Sequence, residues 1–316
     1  MKYRMGSKRE FARTSKFTIL FILLLSIYSS PLIAFSEEIH VIKSRSMVPY
    51  DLAIKGFISK YGNDIKVSDI SGDVKNGKVI AQRVKKENPK LIIAVGSLAA
   101  NALADTVKDT PVICMMVSRP EKYYSNNSNF TGIGLNPDPV KQLELVRKAM
   151  PNVKKVGIIY SKANLNRAIN RARLQSDKYG IVVVEETVNS VSDLPEVLRK
   201  IRSKTDVLLL VVDEFLISEP SLEYIMKFSI EYRYPIIGFS KKMVKSGALM
   251  SSISEYEDIG VQAAEMAIRL IKNGSMANDK FEYPNSNKYV INKKTEEILG
   301  QSIPQEVIEN AAEVYE

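Results

Sequence analysis

Tryptophan is absent from the 316-residue chain, and cysteine and histidine occur once each. A single cysteine excludes an internal disulfide in any redox compartment, and one His with one Cys cannot supply the usual ligand set of a zinc site. Cys114 lies in the apolar run Pro111-Val112-Ile113-Cys114-Met115-Met116-Val117 and reads as a small core residue. It is far in sequence from His40, so a Cys–His nucleophile has little to stand on. No other nucleophile or acid with a positioned base stands out, and no catalytic residue, cofactor or metal is expected. Without tryptophan, stacking against a flat ligand falls to the 15 Tyr and 10 Phe.

Internal repeats and low-complexity tracts are also missing, and 45% hydrophobic with 26% charged residues is ordinary globular composition with length enough for two domains. The surplus of positive charge has a local source. Lys2, Arg4, Lys8, Arg9, Arg13 and Lys16 face a single Glu10 within residues 1–36, a surplus of five charges that leaves +4 of the formal +9 on the remainder. That basic leader, the apolar run 17–27 and the small-x-small triplet Ala34-Phe35-Ser36 form a cleavable signal peptide over 1–36. The apolar run is short for a bilayer span, and Ser29-Ser30-Pro31 follows it. The expectation is export to the periplasm, and the basic balance is no footprint of nucleic-acid binding.

A phosphate-loop spacing occurs at Gly72-Asp73-Val74-Lys75-Asn76-Gly77-Lys78-Val79, but Val79 stands where magnesium would need a hydroxyl. Asn76-Gly77 reads instead as a turn before a helix over 78–87.

What is present is an alternation of apolar strands and amphipathic helices. Leu91-Ile92-Ile93-Ala94-Val95 is a strand buried on both faces; Gly96-Ser97 makes a tight turn, and a helix follows. In open parallel sheets ligands sit beyond the carboxyl ends of such strands, so Ser97 either caps the helix or reaches a ligand. The same unit precedes it: a strand over 39–42, the hydroxyl-rich loop containing Ser46 and ending in Tyr50, and a helix over 51–61. That loop suits a small polar ligand or plain solvation. A strand over 112–117 ends at Ser118-Arg119-Pro120, where Arg119 either pairs with a ligand carboxylate or makes a surface salt bridge.

After a Ser- and Asn-rich loop, the thin strand Phe130-Thr131-Gly132-Ile133-Gly134-Leu135 and Asn136-Pro137-Asp138-Pro139 look like an inter-domain crossing, with Asp138 or a neighbour capping a helix over 140–150. A second series follows: strands over 156–160, 181–185, 207–212, 235–239 and 249–253, with helices over 167–179, 193–203, 219–232, 241–245 and 256–272. Asp213 closes the 207–212 strand and either meets a ligand ammonium or caps the next helix. Phe239-Ser240 stands at another strand's carboxyl end.

Five stretches carry a resemblance: Asp138-Pro139-Val140-Lys141-Gln142-Leu143-Glu144-Leu145, Val156-Gly157-Ile158-Ile159-Tyr160, Pro235-Ile236-Ile237-Gly238-Phe239-Ser240, Ser246-Gly247-Ala248-Leu249, and Tyr256-Glu257-Asp258-Ile259-Gly260-Val261-Gln262-Ala263-Ala264-Glu265. With these the chain resembles, over about residues 39–314, the exported substrate-binding proteins of ABC transporters, in the subgroup with tryptophan- and tyrosine-binding members.

The resemblance implies an α/β fold of the type I periplasmic binding proteins: two Rossmann-like lobes with parallel sheets joined by a three-crossing hinge. One lobe is expected over 37–134 plus 249–275 and the other over 135–248 plus 276–316. It also implies a monomer that encloses a small organic ligand, an amino acid or related zwitterion, and delivers it to an ABC permease in the inner membrane. The alternative is a sensory module signalling to a membrane kinase or cyclase. Ser97 and Ser118 would donate to the ligand carboxylate, Asp213 would take the ammonium, and Tyr50, Tyr160, Phe239 and Tyr256 would pack the side chain, with Ser46, Arg119 and Ser240 completing the candidate set. Relatives often carry Gly-Thr at Gly96-Ser97 and Ser-Asp-Pro at Ser118-Arg119-Pro120, so Arg119 reverses a charge near the cleft.

Overall fold

The computed structural model describes residues 39–125, 127–161, 167–213, 215–274 and 281–316. The signal peptide expected over 1–36, most of the loop after residue 161, and Glu214 lie outside the described residues.

Apolar runs become buried strands. β1 (Ile39–Lys43), β2 (Ile65–Asp69), β3 (Leu91–Val95), β4 (Val112–Val117) and β5 (Phe130–Gly134) form an all-parallel sheet in the order β2-β1-β3-β4-β5. Every residue of β3 and β4 is buried, because helices cover both faces of the sheet. One face packs Val41, Ile93 and Met115 against Phe57 of the helix Val48–Tyr61 and Ile259 of the helix Tyr256–Asn273. The other packs Ile92, Cys114 and Phe130 against Val74–Glu87 and Ser97–Thr106.

The second sheet holds β6 (Lys155–Ser161), β7 (Val182–Val188), β8 (Val207–Leu210), β9 (Ile236–Gly238), β10 (Met250–Ser252), β11 (Tyr289–Asn292) and β12 (Glu313–Tyr315), in the order β12-β11-β10-β9-β8-β6-β7. All of its neighbouring pairs are parallel except β10 with β11. Two lobes with parallel sheets, crossed after β5, after β10 and before β11, are the type I periplasmic-binding-protein arrangement. Among the described residues no helix is long and apolar enough to cross a membrane.

Three details differ from expectation. The segment 249–275 does not sit wholly with the first lobe: Met250 pairs with Ile237 in the second sheet, and only the helix Tyr256–Asn273 packs on the first. Asn76-Gly77 is not a turn but lies inside Val74–Glu87, a helix started by the Asp73 carboxylate, which accepts from the Lys75 N–H at 2.7 Å. The helix expected from 51 begins at Val48, so Tyr50 is helical and does not sit in a loop.

The crossings are tied down by polar contacts. Asp138 caps the helix Pro139–Ala149 through the Val140 N–H and takes a two-pronged contact from Arg171, with Nε and Nη2 at 2.9 and 2.8 Å. The Arg171 guanidinium lies 5.3 Å from the ring centre of Tyr283 on the last crossing. Glu282 exchanges backbone bonds with Gly132 and Gly134, so this crossing runs beside β5.

Candidate functional site

Parallel strands within a lobe end at a common edge, so each lobe presents its strand-end residues together. In the first lobe Gly96 turns the chain with φ +86°, where a Cβ would lie 2.5 Å from the Tyr50 hydroxyl. The helix that follows is capped from another strand. The Ser44 hydroxyl, 2% exposed, accepts from the Ala99 N–H at 3.0 Å and donates to the Val95 carbonyl at 2.9 Å. Gly96 is thus the residue before the helix, with no side chain to cap it, and Ser97 is the exposed first helical residue. Beyond β4, Ser118 and Arg119 are exposed, and the Ser118 carbonyl accepts from the Asn136 amide at 2.9 Å.

In the second lobe Asp213 is 1% exposed. Its Oδ2 accepts from the Ser161 N–H and hydroxyl, both at 2.8 Å, and its Oδ1 accepts from the Phe215 N–H at 3.0 Å. The carboxylate therefore ties the end of β6 to the segment after β8. Ser240 caps the helix Lys241–Lys245 by accepting from the Met243 N–H at 3.3 Å, and Tyr256 opens the helix Tyr256–Asn273.

The two edges share a cavity of about 1260 Å³. Ser118, Leu135, Asn136 and Pro137 line it from the first edge and first crossing. Val212, Phe239, Ser240, Glu255 and Tyr256 line it from the second edge and second crossing, and it continues along the helix Glu219–Glu231. Behind it a chamber of about 50 Å³ shares Ser118, Asn136 and Phe239 and adds Arg119, Gln142 and Tyr283. Arg119 is the one Lys, Arg, Asp or Glu among the described residues lining this smaller chamber, and Glu255, which lines the larger cavity, pairs with Lys241 at 3.0 Å.

Of the ten residues singled out from the sequence, Ser118, Phe239, Ser240 and Tyr256 come together in the larger cavity, and Arg119 joins Ser118 and Phe239 in the smaller. Ser46, Tyr50, Ser97, Tyr160 and Asp213 line neither. Ser46 donates to the Asp69 carboxylate at 2.7 Å. Tyr50 packs on the first-lobe core, and burial pushes its phenol above the ordinary 10.0. Tyr160 donates to Glu185 at 2.8 Å; burial and then that carboxylate raise its phenol too. Sequence reasoning passed over Asn136, Gln142, Glu255 and Tyr283. Asn136, an amide between a strand end and a proline, carried the one local signal that could have marked it. Among the described residues no group of three His, Cys, Asp or Glu is placed to hold a metal ion.

Residues 53–315 match the family model described as ABC transporter substrate binding protein. A tyrosine-binding protein of Clostridioides difficile (strain R20291) is 28% identical over 262 residues, which is 78% of this chain and 75% of that protein. Among solved structures, an ABC domain in complex with L-Trp from Streptococcus pneumonia is 25% identical with a TM-score of 0.59, covering 88% of this chain and 99% of that one. The ligand-free, open structure of a substrate-binding protein with adhesive properties from Clostridium difficile is 23% identical with a TM-score of 0.68, over the same shares of the two chains.

Proposed function

The chain belongs to the ABC transporter substrate-binding protein family, and from that premise we propose that it is an exported receptor that closes over an amino acid, most closely an aromatic one, and hands it to a membrane permease. The family is one of solute-binding proteins and not of enzymes. The observation that carries the reading is the cavity shared by the strand ends of both lobes, with hydroxyl, amide and aromatic groups converging on it. The relatives named for tyrosine and for L-Trp support an aromatic side chain.

In this reading Ser118 and Arg119 meet the ligand carboxylate at the inner end, where the chamber carries positive charge. Phe239 and Tyr256 flank the aromatic ring. Asp213, next in the chain to the cavity-lining Val212, supplies the negative field at the ammonium while its own hydrogen bonds hold Ser161 in place. Ser97, exposed at its strand end, donates once the lobes draw together. Contacts to both lobes are complete only in the closed form, so binding shifts the population toward it, and the permease reads that form.

The test is thermal denaturation of the chain from residue 37 onward against tyrosine, tryptophan, phenylalanine, leucine and hydroxybenzoate. A ligand at about a hundred times its Kd adds roughly 2.7 kcal/mol of apparent stability. Absence of stabilisation by every amino acid overturns the proposal.

A further inference from the structure

The cavity exceeds the about 300–1,000 Å³ usual for a small-ligand pocket, and the excess runs in one direction. From the cleft it follows the helix Glu219–Glu231 to its last residue, with Leu222, Met226 and Ile230 as a stripe at i, i+4 and i+8 forming the floor and Met243 opposite. Twelve residue steps at 1.5 Å make this groove about 18 Å long, the reach of roughly five residues of extended chain at about 3.4 Å each. Ile230 is 37% exposed and Ile217, near the start, 41%. The isoleucines face solvent, while Met226 and Met243, 8% and 4% exposed, belong to the core and show only an edge to the groove, so the floor is apolar throughout.

The rim is charged on both sides: Glu219, Glu223, Lys227 and Glu231 lie along the long helix, with Lys227 paired to Glu223 at 2.8 Å, and across from them stand Lys241, paired to Glu255 at 3.0 Å, and Lys242. An unbroken hydrocarbon tail gains nothing from such a rim. A chain whose apolar side chains lie on the floor while its amides and terminal carboxylate reach the rim fits both features.

We propose that this groove is a second subsite, continuous with the cleft, that takes the following residues of a short apolar peptide whose amino-terminal aromatic residue occupies the cleft. The proposal rests on the reading that the cleft takes an aromatic amino acid. The ammonium of the first residue stays at the end lined by Val212, the residue before Asp213, its carbonyl replaces the free carboxylate at Ser118, and the terminal carboxylate meets Lys242. The groove offers the following side chains an apolar floor without a charged partner on it, so selectivity lies in the first residue.

Because the protein has no tryptophan, fluorescence excited in the indole reports the ligand alone. Titration of L-tryptophan, Trp-Leu and Trp-Leu-Leu with the protein from residue 37 onward is expected to give at least tenfold tighter binding for the tripeptide than for the free amino acid. In Ile230→Glu the ratio of the two affinities falls toward one; Leu222→Gln, tested alongside, serves if the first variant fails to fold. Equal or weaker binding of both peptides, with L-tryptophan bound, overturns the subsite and leaves the amino-acid receptor standing. Failure of all three probes removes both. A dimer in the unliganded protein that Ile230→Glu dissolves, with no preference for peptides, assigns the groove to a second copy of the chain and likewise overturns the proposal.

Discussion

Replacing Gly260 by alanine tests how the returning helix is seated. Gly260 lies where Tyr256–Asn273 crosses Val48–Tyr61, and a Cβ there would stand 1.9 Å from the Ala53 carbonyl oxygen and 2.7 Å from the Phe57 nitrogen. Gly56 makes the reciprocal approach, its Cβ position 2.0 Å from the Glu257 carbonyl oxygen. Ordinary contact begins near 3.4 Å, so the two backbones must part by about 1.5 Å, and neither obstacle is a side chain that can swing away. The interface contains Ala53, Phe57, Ile259, Ala263 and Ala264, all 0% exposed. Gaps of about 0.5–1 Å already forfeit a quarter to a half of each dispersion contact.

The expected cost is about 3–4 kcal/mol, at or beyond the top of the usual overpacking range. It is offset by up to about 1 kcal/mol from the better helix propensity of alanine. A net loss of about 2–3 kcal/mol corresponds to a fall in Tm of roughly 5–10 °C for a protein of this size. Gly77→Ala is the internal contrast. It too is helical, but its Cβ would meet the Ala102 Cβ at 3.3 Å and Ile70 at 3.4 Å, so neighbours yield by a few tenths of an ångström. There the propensity gain dominates, and Tm holds or rises by a few degrees. Thermal melting followed by circular dichroism decides the matter, and a Gly260→Ala melt within about 2 °C of the parent refutes the packing argument. The same displacement moves Tyr256, which opens this helix at the cavity, so ligand affinity falls along with stability.

Ser44→Ala removes the cap of the helix Ser97–Thr106 and costs about 1 kcal/mol, whereas Ser97→Ala stays within about 0.5 kcal/mol; equal effects in urea denaturation would contradict the assignment of the cap to Ser44. Arg171→Met strips two N–H donors from Asp138, and because the arginine side chain is 43% exposed the loss is about 1–2 kcal/mol, read as a lower urea midpoint. Burial pushes the Glu186 carboxyl up, but the hydrogen bonds from Lys200 and Lys204 at 2.7 and 2.8 Å and the attraction of the two ammonium charges together outweigh it and hold the group below the ordinary 4.5. Its folded pKa lies below its unfolded one, so the stability it contributes is complete above the unfolded value and is lost as pH falls through the folded one. Glu186→Gln is expected to flatten the Tm profile between about pH 5 and pH 3, and an unchanged slope would refute it. Cys114 is 1% exposed and burial pushes its thiol up, so thiol reagents at mildly alkaline pH should label only the unfolded protein.

Strands such as Leu91–Val95 and Val112–Val117 were legible because a parallel strand covered on both faces must be apolar throughout, and that leaves an unbroken run in the chain. A helix end closed by one residue was legible for the same local reason: Asp138 before Pro139. Features made by contacts distant in sequence were not. Asn76-Gly77 reads as a turn until Ala102 and Ile70 are brought against Gly77, whose missing side chain then serves packing inside a helix. Ser97 reads as the cap until β1, pairing beside β3, delivers Ser44 to the Ala99 N–H from 55 positions away.

The strand-end rule predicts which residues stand at the site's edge but leaves their partners open, and that difference divides the candidate set. Ser118, Phe239, Ser240 and Tyr256 reach the cavity, while Asp213, at an equally good position, accepts three donors from its own chain. The groove was illegible for a related reason. Leu222, Met226 and Ile230 have the spacing of a stripe facing a core, and only the short neighbouring helix Lys241–Lys245 leaves that stripe partly uncovered. Periodicity tells which side of a helix is apolar; whether the fold supplies a cover for it depends on the length of the element placed opposite.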